Sequence, residues 1–308
     1  MDYSKLIDSE TWAFIRQTGK FYPPDAVEMR VDDQRRVYDL MCREFFQGYP
    51  PNVDVEDECF GGVPVRVYQS GSPVFTVVYL HGGGFVVGGL ESHDDICAEI
   101  CDRTNARVIS VDYRLAPEHK HPAAFVDALA VVRAVSACWP GKLVLAGDSA
   151  GANLAAAVAH RVRGDLDLDG QVLIYGGYGG DMDRGSFLAH ANAPLLTRDD
   201  ILFYGTIRFA GDPPQDDPTA APLHDTDFTG LPPTILISAQ CDPLADDSRN
   251  YCNAILSAGG RAIHIEEPGL VHGYLRARAT VRRARLSFSR ILAAIDALGH
   301  RKPFPPSL

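Results

Sequence analysis

The chain has 308 residues, 46% of them hydrophobic, enough to bury a large core in one or two domains. Its 29 Lys and Arg stand against 40 Asp and Glu, a formal charge of -11; this argues against nucleic acid as a partner, because neutralising phosphates takes clustered cations. No stretch approaches the ~18 consecutive apolar residues of a membrane span, and the start MDYSKLIDSETW lacks the basic and apolar regions of a secretory signal, so the expected compartment is cytoplasmic.

Residues 1–49 read as helical and amphipathic. Beyond them, apolar and β-branched runs predict strands at 64–68, 76–80, 107–111, 142–145, 171–175, 234–238 and 262–266. Apolar residues three or four apart predict helices at 94–104, 123–137, 150–162, 198–209, 245–257 and 280–298. Strand and helix alternate, which predicts an α/β fold whose mostly parallel central sheet is flanked by helices on both faces. In that architecture ligands sit beyond the carboxyl ends of the strands. Two segments break the alternation, residues 1–49 and the Gly-, Asp- and Pro-rich residues 176–224. Both read as a cap over the site, which divides the chain into an N-terminal cap segment (1–49), a main domain (50–175 with 225–308) and a cap insertion (176–224).

The cysteines, Cys42, Cys59, Cys97, Cys101, Cys138, Cys241 and Cys252, are odd in number and form no CxxC pair, which fits reduced thiols. Cys97 and Cys101 share a helix face but lack partners at ligand spacing; they read as buried small residues, and no metal is expected. The basic run Arg276, Arg278, Arg282, Arg283 and Arg285 reads as a solvated helix face.

The chemistry-bearing motifs lie at strand ends. HGGGFVVGG, residues 81–89, follows the strand at 76–80. Its glycines free the backbone of Cβ atoms, so the N–H groups of Gly83 and Gly84 can aim at one oxygen as an oxyanion hole. A phosphate loop would need Gly-Lys-Ser/Thr, and a dinucleotide fingerprint fails because Phe85 stands where a third glycine is required. LVLAGDSAGANLAAAVAH, residues 143–160, sets Ser149 between Gly147 and Gly151 where a strand gives way to an alanine-rich helix. That is a nucleophile elbow, with the Ala150 N–H at the helix start as a further oxyanion donor. A GxSxG alone arises by chance in about one chain in ten of this length, so its context carries the assignment.

A serine hydroxyl needs a base, and the base an orienting carboxylate. Of ten histidines, His272 in EEPGLVHGY stands in a loop just after a predicted strand. His264 lies inside that strand, and His119 and His121 fall in a proline-rich loop. In AQCDPLADD, Asp242 follows the strand at 234–238, whereas Asp246 and Asp247 read as acidic residues in the first turn of the next helix. The order Ser149, Asp242, His272 is that of α/β-hydrolases.

Together HGGGF, VDYRLAPEHKHPAA, GDSAGANLA, CDPLADD and LVHGY resemble the bacterial hormone-sensitive-lipase-like esterases (family IV carboxylesterases) of the α/β-hydrolase superfamily, over roughly residues 63–298. The resemblance implies an α/β-hydrolase fold with a helical cap, a Ser149–Asp242–His272 triad and an oxyanion hole from Gly83, Gly84 and Ala150. It gives Asp148, Asn153, Asp112, Tyr113, Arg114 and Glu118 framework roles, and His81 is placed with them. It implies a serine carboxylesterase that acts through an acyl-enzyme on small or short-acyl esters. No cofactor is required, the partner is a small-molecule ester, and a homodimer is expected. Phe203, Tyr204 and Phe209 are the cap residues expected to shape specificity. The same machinery could cleave an amide or formamide, and plant receptors related in fold bind small molecules without hydrolysis; an intact Ser149, Asp242 and His272 set points to catalysis.

Overall fold

The computed structural model describes residues 1–23 and 29–302. Its described strands are β1 (Asp54–Phe60), β2 (Val63–Gln69), β3 (Thr76–Leu80), β4 (Arg107–Val111), β5 (Leu143–Asp148), β6 (Gly170–Ile174), β7 (Thr234–Cys241) and β8 (Ala262–Val271). They form one 8-stranded sheet in the order β1-β2-β4-β3-β5-β6-β7-β8. β2 runs antiparallel to β1 and β4, and every pairing from β4 through β8 is parallel. The sequence reading missed β1: Asp54, Glu56, Asp57 and Glu58 leave it solvated at the sheet edge, with no apolar alternation to read. The sequence also ends three strands short, since β5 continues to Asp148, β7 to Cys241 and β8 to Val271.

Helices cover both faces: α1 (Ser9–Gly19), α2 (Val31–Glu44), α3 (Asp94–Thr104), α4 (Ala123–Cys138), α5 (Ala150–Val162), α6 (Gly185–Ala189), α7 (Arg198–Arg208), α8 (Ala245–Ser257) and α9 (Arg282–Gly299). The period-2 geometry of a strand divides the core in two. Val77 and Tyr79 of β3 pack with Ile96 and Ile100 of α3 and Ile291 and Ile295 of α9, whereas Val78 and Leu80 pack with Val131 of α4, Leu154 of α5 and Ile255 of α8. Cys97 and Cys101 are fully buried on the α3 side. Because both faces are covered, β3 and β5 are buried along their whole length, which is why they read as unbroken apolar runs.

α5 sits against the sheet on small side chains; Ala152, Ala155, Ala156 and Ala159 have no exposed surface. The approach is closest at Gly151, where a Cβ would overlap the backbone carbonyl of Leu80 at the end of β3. Only hydrogen fits between the two backbones there.

The basic run is not a uniform solvated face. Arg276 and Arg278 fall in a 3-10 turn, Tyr274–Ala279, and both are buried, while Arg282 and Arg285 of α9 are exposed. Arg278 binds Asp95 at 2.7 Å and Glu99 at 2.8 Å, and these carboxylates on α3 make its burial tolerable.

Asp246 and Asp247 lie in the first turn of α8 as expected, but Asp247 is buried and does more than complement a helix dipole. Its Oδ2 accepts the backbone N–H groups of Tyr178 (2.6 Å), Gly179 (3.2 Å) and Gly180 (3.2 Å), fixing the chain where it leaves β6. Burial drives its pKa up to about 6, against the lowering effect of those three donors.

Two stability outcomes follow from these contacts. Gly151→Ala should cost more than about 2 kcal/mol, because the clash is with backbone that cannot rotate away; an unchanged urea midpoint would contradict the contact. For Asp247, the folded carboxyl holds its proton to higher pH than the ordinary value of 3.8, so its contribution to stability must fall as pH rises from about 4 through about 6. The stability of the native chain minus that of Asp247→Asn should therefore decline by about 1–3 kcal/mol across that window. A flat difference in denaturant titrations at the two ends would reject the assignment.

Candidate active site

Four parallel strands, β3, β5, β7 and β8, deliver the candidate residues at their carboxyl ends: the 81–89 loop, Ser149, Asp242 and His272. Ser149 caps α5 with φ 53° and ψ -120°, a conformation rare for a side chain larger than glycine's. The contact between Gly151 and Leu80 leaves the chain no gentler path from strand to helix, and the Ser149 N–H is anchored on the Ile174 carbonyl of β6 at 2.8 Å.

The Ser149 hydroxyl lies 2.9 Å from His272 Nε2, and His272 Nδ1 lies 2.7 Å from Asp242 Oδ2. Asp242 has no exposed surface, and its other oxygen accepts the Leu244 N–H at 2.9 Å. With Nδ1–H donated to the carboxylate, Nε2 is left as the acceptor facing the hydroxyl. The Tyr175 ring, 4.8 Å from the imidazole centroid, packs against it.

The glycine loop lines the same cavity as Ser149 and His272. Gly83 has φ 130°, and a Cβ on it would overlap the Val87 carbonyl. The Val86 and Val87 N–H groups close back on the Gly83 carbonyl at 3.1 and 3.0 Å, a tight turn that leaves the N–H groups of Gly83 and Gly84 with no acceptor among the described residues. The N–H of Ala150 is one of the donors that the first turn of a helix leaves unpaired.

Buried polar contacts hold this arrangement. Asp148 accepts from the Tyr79 hydroxyl at 2.9 Å and the Gly82 N–H at 3.0 Å, pairs with His93 at 3.1 Å, and has the Tyr175 hydroxyl at 3.3 Å. Burial raises its pKa, but His93, Arg276 and the Tyr79 hydroxyl outweigh that and hold it well below the carboxylate range. His81 stacks on Tyr113 at 4.2 Å and meets the Gly82 carbonyl through Nδ1 at 2.8 Å; burial pushes its pKa down to about 4, so it is a neutral ring. Asn153 donates to the Gly177 and Ala220 carbonyls at 2.8 and 3.1 Å.

Four further framework residues stand farther out. Glu118 receives a two-pronged contact from Arg35 of α2, at 2.9 and 2.6 Å, and the same guanidinium donates to the Val86 and Ala116 carbonyls. Arg114 is locked onto Asp127 at 2.8 and 2.7 Å, and the Tyr113 hydroxyl bonds the His81 carbonyl at 2.7 Å. The Asp112 carboxyl forms no hydrogen bond among the described residues; burial raises its pKa.

A cavity of about 1130 Å³ opens over Ser149 and His272, with Phe14 and Tyr38 from the N-terminal segment and Phe203, Tyr204 and Phe209 from α7 and its end in its wall. Tyr204 lies against Gly84, with ring atoms 2.9 Å from where a Cβ would be. The sequence does not single out Arg35, His93 or Tyr175, because each works through a contact far away in sequence with no local signature. Among the described residues no helix is long and apolar enough to cross a membrane.

A family model described as alpha/beta hydrolase fold matches residues 77–276. The chain is 36% identical over 271 residues to Carboxylesterase NlhH of Mycobacterium tuberculosis, covering 81% of this chain and 84% of that protein. It is 32% identical over 269 residues to the acetyl esterase of Salmonella paratyphi A, covering 82% and 83%. The solved hyperthermophilic esterase of Pyrobaculum calidifontis superposes with a TM-score of 0.86 at 31% identity, over 95% of this chain and 99% of that one. An esterase of the bacterial hormone-sensitive lipase family gives the same TM-score of 0.86 at 25% identity, over 94% and 98%. The chain therefore belongs to the hormone-sensitive-lipase-like esterases of the α/β-hydrolase superfamily and is a carboxylic ester hydrolase.

Proposed function

We propose that the chain is a serine carboxylesterase that hydrolyses small or short-acyl esters through an acyl-enzyme. The observation that carries this reading is the unbroken hydrogen-bond chain from the Ser149 hydroxyl through His272 to Asp242, at 2.9 and 2.7 Å.

In this mechanism His272 Nε2 takes the Ser149 proton as Oγ attacks the ester carbonyl, and Asp242 holds the ring's orientation and balances the imidazolium. The charge arriving on the carbonyl oxygen is received by the N–H groups of Gly83, Gly84 and Ala150, each worth about 10²–10³ in rate for such donors. The imidazolium protonates the departing alcohol. Water, deprotonated by the same nitrogen, then attacks the acyl-enzyme and releases the acid. No cofactor enters this sequence.

We assign residues 1–49 and 176–224 to a cap. Both contribute wall to the cavity, and Arg35 ties the first to the loop that carries Gly83 and Gly84. Tyr204 over Gly84 crowds the space beside the oxyanion donors, which favours a short acyl group, and the rest of the cavity leaves room for the alcohol. The relative named acetyl esterase supports the same size class.

Ser149→Ala should lower kcat on p-nitrophenyl acetate by about 10³-fold or more with the fold intact, and a fluorophosphonate probe should label only the native protein. A fully active variant would refute the nucleophile. Across p-nitrophenyl esters, acetate and butyrate should turn over fastest; rapid cleavage of long chains beside negligible cleavage of these two would reject the acyl limit.

A further inference from the structure

One guanidinium in the cavity wall lacks, among the described residues, the carboxylate partner that several of the chain's other arginines have. Arg35, Arg66, Arg278 and Arg290 each face a carboxylate. Arg208, at the end of α7, lines the cavity and forms no ion pair with any carboxylate among the described residues. Its one side-chain hydrogen bond among the described residues is a long one, 3.4 Å to Asn153 Oδ1. A guanidinium has five N–H donors, so most of its capacity is unspent.

Aromatic rings hold it in place. Its Cζ lies 3.5 Å from the centroid of Phe85 and 4.9 Å from that of Phe209. Lys120, also in the cavity wall, donates to the Phe209 carbonyl at 3.0 Å and likewise has no ion pair among the described residues. The acidic groups whose fields reach Arg208 are already engaged. Asp217 accepts from His121 at 3.0 Å and from the Thr219 hydroxyl at 2.6 Å, and the Tyr113 hydroxyl is bonded to the His81 carbonyl. Burial lowers the pKa of Arg208 to about 9, which still leaves it charged at neutral pH.

Its position relates this cation to the chemistry. Phe85 directly follows Gly83 and Gly84, and Asn153 stands one helical turn after Ser149, its N–H bonded to the Ser149 carbonyl at 3.2 Å. The guanidinium thus bridges the proposed oxyanion loop and the first turn of α5. Arg276, another cavity-wall arginine without a carboxylate bond, differs: it is bonded to the Tyr38 hydroxyl and to Cys42 Sγ at 3.3 Å, and the charge of Asp148 acts on it. Arg208 is half-buried, and a cation held there with no counterion among the described residues is best stabilised when a ligand supplies the opposite charge.

We infer that this end of the cavity is an anion subsite with Arg208 as its specificity-determining residue, and that the preferred esters carry a carboxylate within a few carbons of the scissile carbonyl. The inference rests on the serine-esterase reading above and narrows its substrate class. The carboxylate sits on the acyl or the alcohol part, and it receives charge-assisted hydrogen bonds from a fork already oriented by two rings.

The test compares matched charged and neutral esters: monomethyl glutarate against methyl pentanoate for the acyl side, and 3-acetoxypropanoate against propyl acetate for the alcohol side. At least one charged-to-neutral ratio of kcat/KM should exceed about tenfold in the native enzyme, fall about tenfold or more in Arg208→Gln, and recover in part in Arg208→Lys. A merely structural arginine would lower both members of a pair together and leave the ratio unchanged. Ratios at or below one in the native enzyme, or a ratio that survives Arg208→Gln, would overturn the subsite while turnover of neutral esters keeps the esterase reading. Should no ester be cleaved, that reading fails, and calorimetric titration of glutarate into the native chain and the two variants still decides the subsite: binding lost in Arg208→Gln supports it, and no heat at millimolar glutarate overturns it.

Discussion

The site depends on one steric contact. Gly151 at the start of α5 lies so near the Leu80 carbonyl that no Cβ fits between them, and this proximity sets how the chain leaves β5. A strand ending at Asp148 and a helix starting at Ala150 leave one residue to make the turn, and that residue takes a positive φ. Its side chain then points away from both elements, towards the ends of β7 and β8 where Asp242 and His272 emerge. Because the glycine loop starts directly after Leu80, the same contact couples the hydroxyl to the proposed amide donors: a shift of α5 moves one relative to the other.

Around that contact the polar groups are arranged to hold geometry. Asp148 collects a tyrosine hydroxyl, a backbone N–H and an imidazole, and so ties β3, β5 and the segment before α3 to one buried charge. Each of these donors would otherwise be unpaired away from water, which makes the network cooperative and expensive to break piecemeal. Asp247 performs the same service for the chain leaving β6, and Arg35 for the N-terminal segment.

Much of the fold is legible in the sequence. Buried parallel strands produce unbroken apolar runs, so seven strands and the alternation with helices could be read directly. Ser149, Gly83, Gly84 and His272 can be singled out as candidates because the proposed chemistry demands particular neighbours in sequence: small residues beside the turn, glycines in the loop, a strand before the histidine. β1 could not, since a solvated edge strand of Asp and Glu has no hydrophobic period to detect. Nor could Arg276 and Arg278 be told from exposed arginines, because what permits their burial, Tyr38 and Cys42 for one, Asp95 and Glu99 for the other, lies more than a hundred residues earlier. Arg208 has no signature in the sequence for a related reason, as the role proposed for it rests on its having no carboxylate partner among the described residues.

The acidic edge strand has a consequence for how the molecule behaves in a crowded solution. A sheet edge offers unpaired N–H and C=O groups to any passing strand, and a second copy of the same edge is the commonest such strand. On β1, Asp54, Glu56 and Glu58 alternate along one face, so a second β1 laid alongside would bring carboxylates against carboxylates. The row of negative charge that made this strand unreadable thus guards the edge of the sheet against fibrous self-association.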